Sequence, residues 1–400
     1  MPPLAHLKIL DLSRVLAGPW ASQLLGDLGA DVIKVERPVG GDDTRGWGPP
    51  FLADAEGVAT AESAYFLSAN RNKQSVTIDL ASPDGQALVR DMARSADVVV
   101  ENFKVGGLAA YGLDYASLAA VNPALVYCSI TGFGQTGPYA ARAGYDVLLQ
   151  AMGGLMSITG DPAHGPQKVG VAVVDLLTGM YATVGILAAI AHRDRTGEGQ
   201  HIDLALLDVE VACLANQAMS YLVTGIAPRP TGNAHPAIVP YQDFPTADGA
   251  MVVAVGNDGQ FARLCAALGL SAANDTRFRT NAARVANRQP LVDAIAAITR
   301  TQSTAHWIAA LEAATVPCGP INTIAEVFAD PQVTARALRL ELDHAHGRVP
   351  GVANPLRFSV TPVEYRAAAP TLGQHTEAVL MRELGLSAAQ IAGLRARGVL

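Results

Sequence analysis

Short runs of β-branched and other apolar residues alternate with stretches of helical period through the first half of the chain. KILDL, DVIKVE, SVTID, DVVVEN and ALVYCSI are of the first kind; GPWASQLLGDLG and PDGQALVRDMARSA, lying between them, are of the second. That alternation predicts parallel strands joined by crossover helices. Strands covered by helices on both faces become apolar throughout, and DVVVEN and ALVYCSI come close to it. The expected fold is α/β: a large Rossmann-like domain with an open parallel sheet.

The most apolar long segment, Asp175 to Ala191, is shorter than the roughly 20 residues that cross a bilayer and begins with an acid, so it reads as a buried core helix. After the polar turn HRDRTGEGQ, the run HIDLALLDVEVACLANQAMSYL reads as a strand leading into another helix. Residues 225–240 are rich in proline and glycine, and beyond them a strand at DGAMVVAV precedes helices at FARLCAALG, RQPLVDAIAAIT and TAHWIAALEAA. The expected organisation is a large domain over 1–224, a linker and smaller α+β domain over 225–325, and a C-terminal segment, 326–400, that returns to the large domain.

Length agrees with two domains, because a single core rarely grows past about 250–300 residues and this chain has 400. Half the residues are hydrophobic and only 16% charged, the composition of a packed globule. A net charge of −7 supplies no general attraction to polyanions, which argues against nucleic-acid and anionic-membrane partners. The cysteines at 128, 213, 265 and 318 form no CxxC or Cys/His cluster, so neither a disulfide framework nor a metal site is expected. With MPPLAH showing no secretory pattern, a cytoplasmic location is expected.

Gly132, Gly134 and Gly137 spell GxGxxG directly after ALVYCSI, the local setting of a pyrophosphate-binding turn and hence of an NAD-dependent oxidoreductase. Pro138 and the helical stretch YDVLLQAM intervene before any strand that could carry a ribose-binding acid. The competing reading is a glycine-rich turn leading into a helix. Asp175 is similarly double. Standing where two valines give way to LLTGMYA, it is placed as an ordinary helix N-cap. The same location also suits a nucleophile, whose ionised form the helix terminus favours while apolar neighbours exclude water.

LDLSRVLAGPWASQLLGDLGADVIKVERPVGGDDTRGWGPPF, NRNKQSVTIDL, VENFKVGGLAAYGLDY, SITGFGQTGPYAARAGYDVLLQAMGG, VAVVDLLTGMYA, TGEGQHIDLALLD, VPCGPI and LGQHT occur in that order along the whole chain. In this the protein resembles the class III CoA-transferases of the CaiB/BaiF type, the family of formyl-CoA:oxalate and carnitine CoA-transferases. DDTRGWGPPF, AHPAIVPYQ and GPINTIAEVFADPQV resemble in particular the branch acting on succinyl-CoA and glutarate or hydroxymethylglutarate.

The resemblance implies transfer of CoA from an acyl-CoA such as succinyl-CoA to a small carboxylic, especially dicarboxylic, acid. Asp175 is the implied nucleophile, passing through an aspartyl anhydride and an aspartyl-CoA thioester. It implies an interlocked homodimer, with acyl-CoA as a substrate and no permanently bound cofactor. It assigns Arg14, Val15, Leu16, Ala17, Arg37, Asn72, Lys73, Asn102, Phe103 and Lys104 to CoA. Leu16 stands where formyl-CoA transferase has a glutamine, which weakens an oxalate reading. Tyr145 stands where the related α-methylacyl-CoA racemases have a histidine, and a phenol with a pKa near 10 is a poor acid/base substitute at neutral pH. A racemase-like isomerase is thereby the weaker alternative. Arg142, Arg229, His235 and Tyr145 are the candidates for the acid substrate's pocket, since a second carboxylate must be neutralised or hydrogen-bonded.

Overall fold

The computed structural model describes residues 1–400. Six strands form one all-parallel sheet: β1 Lys8–Asp11, β2 Asp31–Glu36, β3 Lys73–Thr77, β4 Val98–Glu101, β5 Val126–Thr131 and β6 His201–Ala205. Their spatial order is β3-β2-β1-β4-β5-β6. The chain therefore builds outward from β1 in one direction, then returns and builds in the other. Leu10 lies opposite Ile33 on one side and Val99 on the other.

The strands are apolar because successive side chains feed two cores. Ile9, Val98 and Val100 pack on one face with the helices α1 (Ala17–Asp27) and α3 (Val173–Thr196). Leu10, Ile33, Val99 and Tyr127 pack on the other with Leu88 and with Leu380 and Ile391 from the C-terminal helices. A shorter helix, α2 (Asp146–Met152), follows the glycine-rich turn.

Helix α3 extends the expected apolar segment at both ends and stops at Gly197, whose φ of +78° closes the helix in the left-handed conformation. By length and composition alone it could cross a membrane. Here Val174, Ala182, Ile186 and Ile190 are in the core under the sheet. Two hairpins, Phe51–Ala53 with Ala59–Ser63 and Arg339–His344 with Gly347–Val352, lie outside the sequence expectation, since FLA is only three residues long and ATAES, RLELDH and GRVPGV lack the continuous apolar run of the central strands.

The chain forms two compact units, the larger comprising 1–155, 169–223 and 332–400 and the smaller 156–168 and 224–331. The short excursion 156–168 into the smaller unit has no counterpart in the sequence reading. The smaller unit contains an antiparallel sheet of Tyr241–Pro245, Ala250–Ala254 and Cys318–Pro320 over its own core of Phe244, Met251, Phe261, Leu291, Trp307 and Leu311. Arg284, wholly buried there, donates to the carbonyls of Val239 and Phe278 at 2.7 and 3.0 Å and so fastens the segment before the sheet.

Candidate functional site

In an open parallel sheet, ligands bind outside the carboxyl ends of the strands where the order of building reverses. That point lies here between β1 and β4, and the loops following these strands are bolted together. The Arg14 backbone N–H donates to Asn102 Oδ1 at 2.9 Å, and Asn102 Nδ2 donates to the Arg14 carbonyl at 2.7 Å. Beside them a cavity of about 200 Å³ is lined by Arg14, Val15, Leu16, Ala17, Asn102, Phe103, Lys104, Arg142, Tyr145 and Asp175. A neighbouring cavity shares Arg14 and Phe103 and adds Arg37 and Ile78–Ala81. Asp43 bridges Arg14 and Arg37 through one carboxylate oxygen each.

Asp175 does not cap its helix. The N-cap is Ala172, which has no side chain for the purpose, and Asp175 sits inside the first turn. The carboxylate of Asp146, at the start of α2, caps α3 instead, accepting from the N–H groups of Val174 at 2.8 Å and Asp175 at 3.3 Å. Gln150, itself buried, holds Asp146 from behind with a 2.6 Å bond to its other oxygen.

This arrangement corrects the electrostatic expectation. A free helix terminus would favour ionised Asp175, but Asp146 already occupies the terminal N–H groups. Burial, then the Asp146 charge, push the Asp175 carboxyl up from 3.8 to about 7. An acid poised near neutrality in a crevice has the signature of a functional group.

Glycines set the close approach of the parts. A Cβ on Gly179, one turn along α3 from Asp175, would lie 2.7 Å from the Ala17 carbonyl oxygen, so α3 touches the start of α1 only because that position is bare. In the glycine-rich turn, a Cβ on Gly132 would lie 2.7 Å from Gly144 Cα, and one on Gly144 would lie 2.5 Å from Gly132 Cα. Two of the turn's N–H groups are committed internally, Gly134 donating to Thr131 Oγ1 and Gln135 to Asp203. GFGQTG thus serves a backbone crossing that delivers Tyr145 and Asp146, and the pyrophosphate reading fails.

Two residues assigned to CoA on resemblance, Asn72 and Lys73, line neither cavity. Asn72 donates to Asp27 and the Glu364 carbonyl, and its side-chain oxygen accepts from Arg366 and Ala367. Lys73 is fully buried, with its three ammonium hydrogens satisfied by Asp11, Pro19 and Asn70 at 3.2, 2.9 and 2.8 Å. Both stand at the amino end of β3, whereas Ile78–Ala81 follow its carboxyl end and do line a cavity.

Lys104 and Arg142 are the cations in the Asp175 cavity that have no carboxylate partner. The Arg142 guanidinium stacks over Tyr139 and Phe133 at 4.6 and 5.2 Å. Tyr145 is 61% exposed, which rules out a core tyrosine. Arg229 and His235 belong to the smaller unit. Arg229 is exposed. His235 Nδ1 accepts from the Ala237 N–H, and its carbonyl accepts from Arg288.

Trp47 lies in the motif DDTRGWGPPF without an assigned role and Tyr65 lies in none of the motifs, yet Trp47 packs edge-on against Tyr65 at 5.1 Å. Burial and the charges of Asp175, Asp146 and Asp42 push the Tyr65 hydroxyl up to about 12, placing it within electrostatic reach of the site.

Two adjoining cavities at the switch point, one lined by Arg14 and Arg37 and the other by the half-buried Asp175 carboxylate together with Lys104 and Arg142, are those of an α/β enzyme acting on an extended anionic substrate. The chain belongs to CoA-transferase family III, whose model matches residues 4–376. It is 56% identical over 95% of its length to the succinate–glutarate CoA-transferase of Agrobacterium fabrum, of which it covers 95%. It is 44% identical over 99% of its length to the succinyl-CoA:glutarate CoA-transferase of Homo sapiens, covering 90% of that chain. The crystal structure of a CaiB/BaiF family protein from Brucella suis superposes with a TM-score of 0.85 at 51% identity, over 95% of this chain and 99% of that one. The protein is accordingly a class III CoA-transferase, and its large six-stranded parallel sheet with smaller antiparallel sheets is that family's architecture.

Proposed function

We propose that the enzyme moves CoA from succinyl-CoA to a short dicarboxylic acid such as glutarate, through covalent intermediates on Asp175. The observation that carries this reading is Asp175 itself: a carboxylate poised near neutrality, uncommitted to any ion pair, in the cavity that also holds Lys104 and Arg142. The names of the Agrobacterium and human relatives support the choice of acids.

In the first half-reaction the Asp175 carboxylate attacks the thioester carbonyl, forming a mixed anhydride and expelling CoA thiolate. The thiolate attacks the aspartyl carbonyl, releasing the donor acid and leaving CoA as a thioester on Asp175. The acceptor carboxylate then attacks that thioester, giving a second anhydride and thiolate again. Attack of the thiolate on the acceptor's acyl carbon yields the new acyl-CoA and frees Asp175.

Each addition develops an oxyanion. Helix α1 opens at Ala17 in the same cavity with no side-chain cap, so its first N–H groups suit that charge. Arg14, Arg37 and Lys104 are assigned to the CoA phosphates, with Phe103 and Ile78–Ala81 beside the nucleotide. Arg142 is assigned to the second carboxylate of the acid, with Tyr145 at the cavity rim. A homodimer belongs to this reading: Met180, Tyr181 and Val184 on α3 are 53, 47 and 64% exposed, an apolar row suited to a second copy. A cytoplasmic setting goes with four unpaired cysteines.

The test is to mix the enzyme with succinyl-CoA alone, add hydroxylamine and sequence the peptides by mass spectrometry. A hydroxamate on Asp175 is expected. Transfer to glutarate that proceeds with Asp175 never labelled would refute the covalent route.

A further inference from the structure

The wall of the Asp175 cavity contains a backbone conformation that its residue does not favour. Val15 has φ +71°. For a β-branched residue that region is crowded and persists only where the surroundings impose it. The surroundings here are four side chains that between them hold the polar backbone groups from the Ser13 N–H to the Val15 N–H. Asp11 accepts from the Ser13 N–H at 2.9 Å, Lys34 Nζ donates to the Ser13 carbonyl at 2.8 Å, and Asn102 holds both the N–H and the carbonyl of Arg14. Asp42 Oδ1 accepts from the Val15 N–H at 3.2 Å.

Two of these clamps are joined. Lys34 Nζ lies 2.9 Å from Asp42 Oδ2, and both side chains are wholly shielded from solvent. Asp42 is held in turn by its own N–H on Glu36 and by both the N–H and the hydroxyl of Thr44. A buried ion pair of this kind is a weak source of stability compared with apolar packing, and its attested use is to specify one conformation.

Resting on the reading in which α1 presents its first N–H groups to the reaction, we propose that Lys34 and Asp42 are positioning residues for CoA transfer. They force Val15 into the left-handed conformation and so aim Leu16, Ala17 and the start of α1 at Asp175. Neither lines the Asp175 cavity. Asp42 does line the neighbouring cavity, so a fall in kcat, and not a rise in KM, is what reports the loop they clamp.

The experiment is a double-mutant cycle of D42N with V15G, since glycine adopts this conformation without crowding. Asparagine keeps an oxygen for the Val15 N–H but removes the charge opposite Lys34. The expected result is that D42N lowers kcat by at least about tenfold, as misplacement of catalytic groups does, with a smaller change in KM for succinyl-CoA. The factor lost to D42N shrinks at least threefold in the V15G background.

An unchanged kcat in D42N, or the same loss with and without V15G, overturns the proposal. If D42N does not fold, K34R takes its place in the same cycle, with the same two outcomes. Unfolding midpoints of the four proteins give the coupling independently of activity. A wild-type enzyme that transferred no CoA would therefore sink the functional reading and leave the clamp separately measurable.

Discussion

Replacing Asp175 by asparagine should stabilise the protein, and should do so only where the acid is ionised. In the fold the Asp175 carboxyl is raised from 3.8 to about 7 by burial and by Asp146. At 1.36 kcal/mol for each tenfold change in proton affinity, holding it ionised costs about 4 kcal/mol. For a carboxyl raised by folding, the contribution to stability is complete below about pH 4 and drains away as pH rises through the folded value near 7. Above that it is gone. Asparagine mimics the protonated acid in shape and never ionises, so the variant escapes the loss. The advantage of D175N over wild type should thus grow by about 3 kcal/mol between pH about 5 and about 8. Urea midpoints of both proteins across that range give the difference directly, and titrating groups that do not interact with Asp175 cancel in it. Parallel stability curves would show that Asp175 is neither raised nor strained by its surroundings, and the argument for its role from electrostatics would fail.

Four further outcomes are expected. G179A places a methyl group against the Ala17 carbonyl, costing about 1–3 kcal/mol of stability and pushing α3 off α1. Its kcat should fall on the order of tenfold, whereas equal kcat would mean the helix contact is not what sets Asp175. D146N removes the negative charge that helps raise Asp175, so the rising limb of the pH–rate profile should move to lower pH, by about one unit; a limb that stays put assigns it to another group. K104A should raise KM for succinyl-CoA, more so at low salt, and R142A should raise KM for glutarate but not for a monocarboxylate of similar length. Equal effects of R142A on both acids would remove it from the second-carboxylate role.

Much of the large sheet is legible in the sequence because inner strands such as β4 and β5 are covered on both faces and must be apolar throughout, and DVVVEN or ALVYCSI can satisfy little else. The long helix after the two valines is legible for the same reason. What the pattern does not contain is which end of a strand meets the ligand. NRNKQSVTIDL was read through its charged residues, yet Lys73 is at the amino end of β3 and fully spent inside the protein, and the cavity takes the bland residues Ile78–Ala81. Partnerships across long sequence distances were equally invisible. Asp146 capping a helix that begins near residue 173, and Tyr65 feeling the charge of Asp175, are products of packing and not of spacing. The electrostatics of Asp175 were misjudged for that reason: the helix terminus was visible, and the acid already sitting on it was not.

The crossing of Gly132 and Gly144 has a consequence for how this sequence can vary. Neither glycine is there for its dihedral freedom, since neither has positive φ. Each is bare because the other's backbone fills the place of its side chain. The two positions therefore behave as a single locus. The first alanine introduced at either one forces the two backbone segments apart and should bear nearly the whole penalty, after which a second at the other would find the space already opened. A stretch that advertises a nucleotide-binding loop is in effect half of a lock whose other half lies twelve residues along the chain.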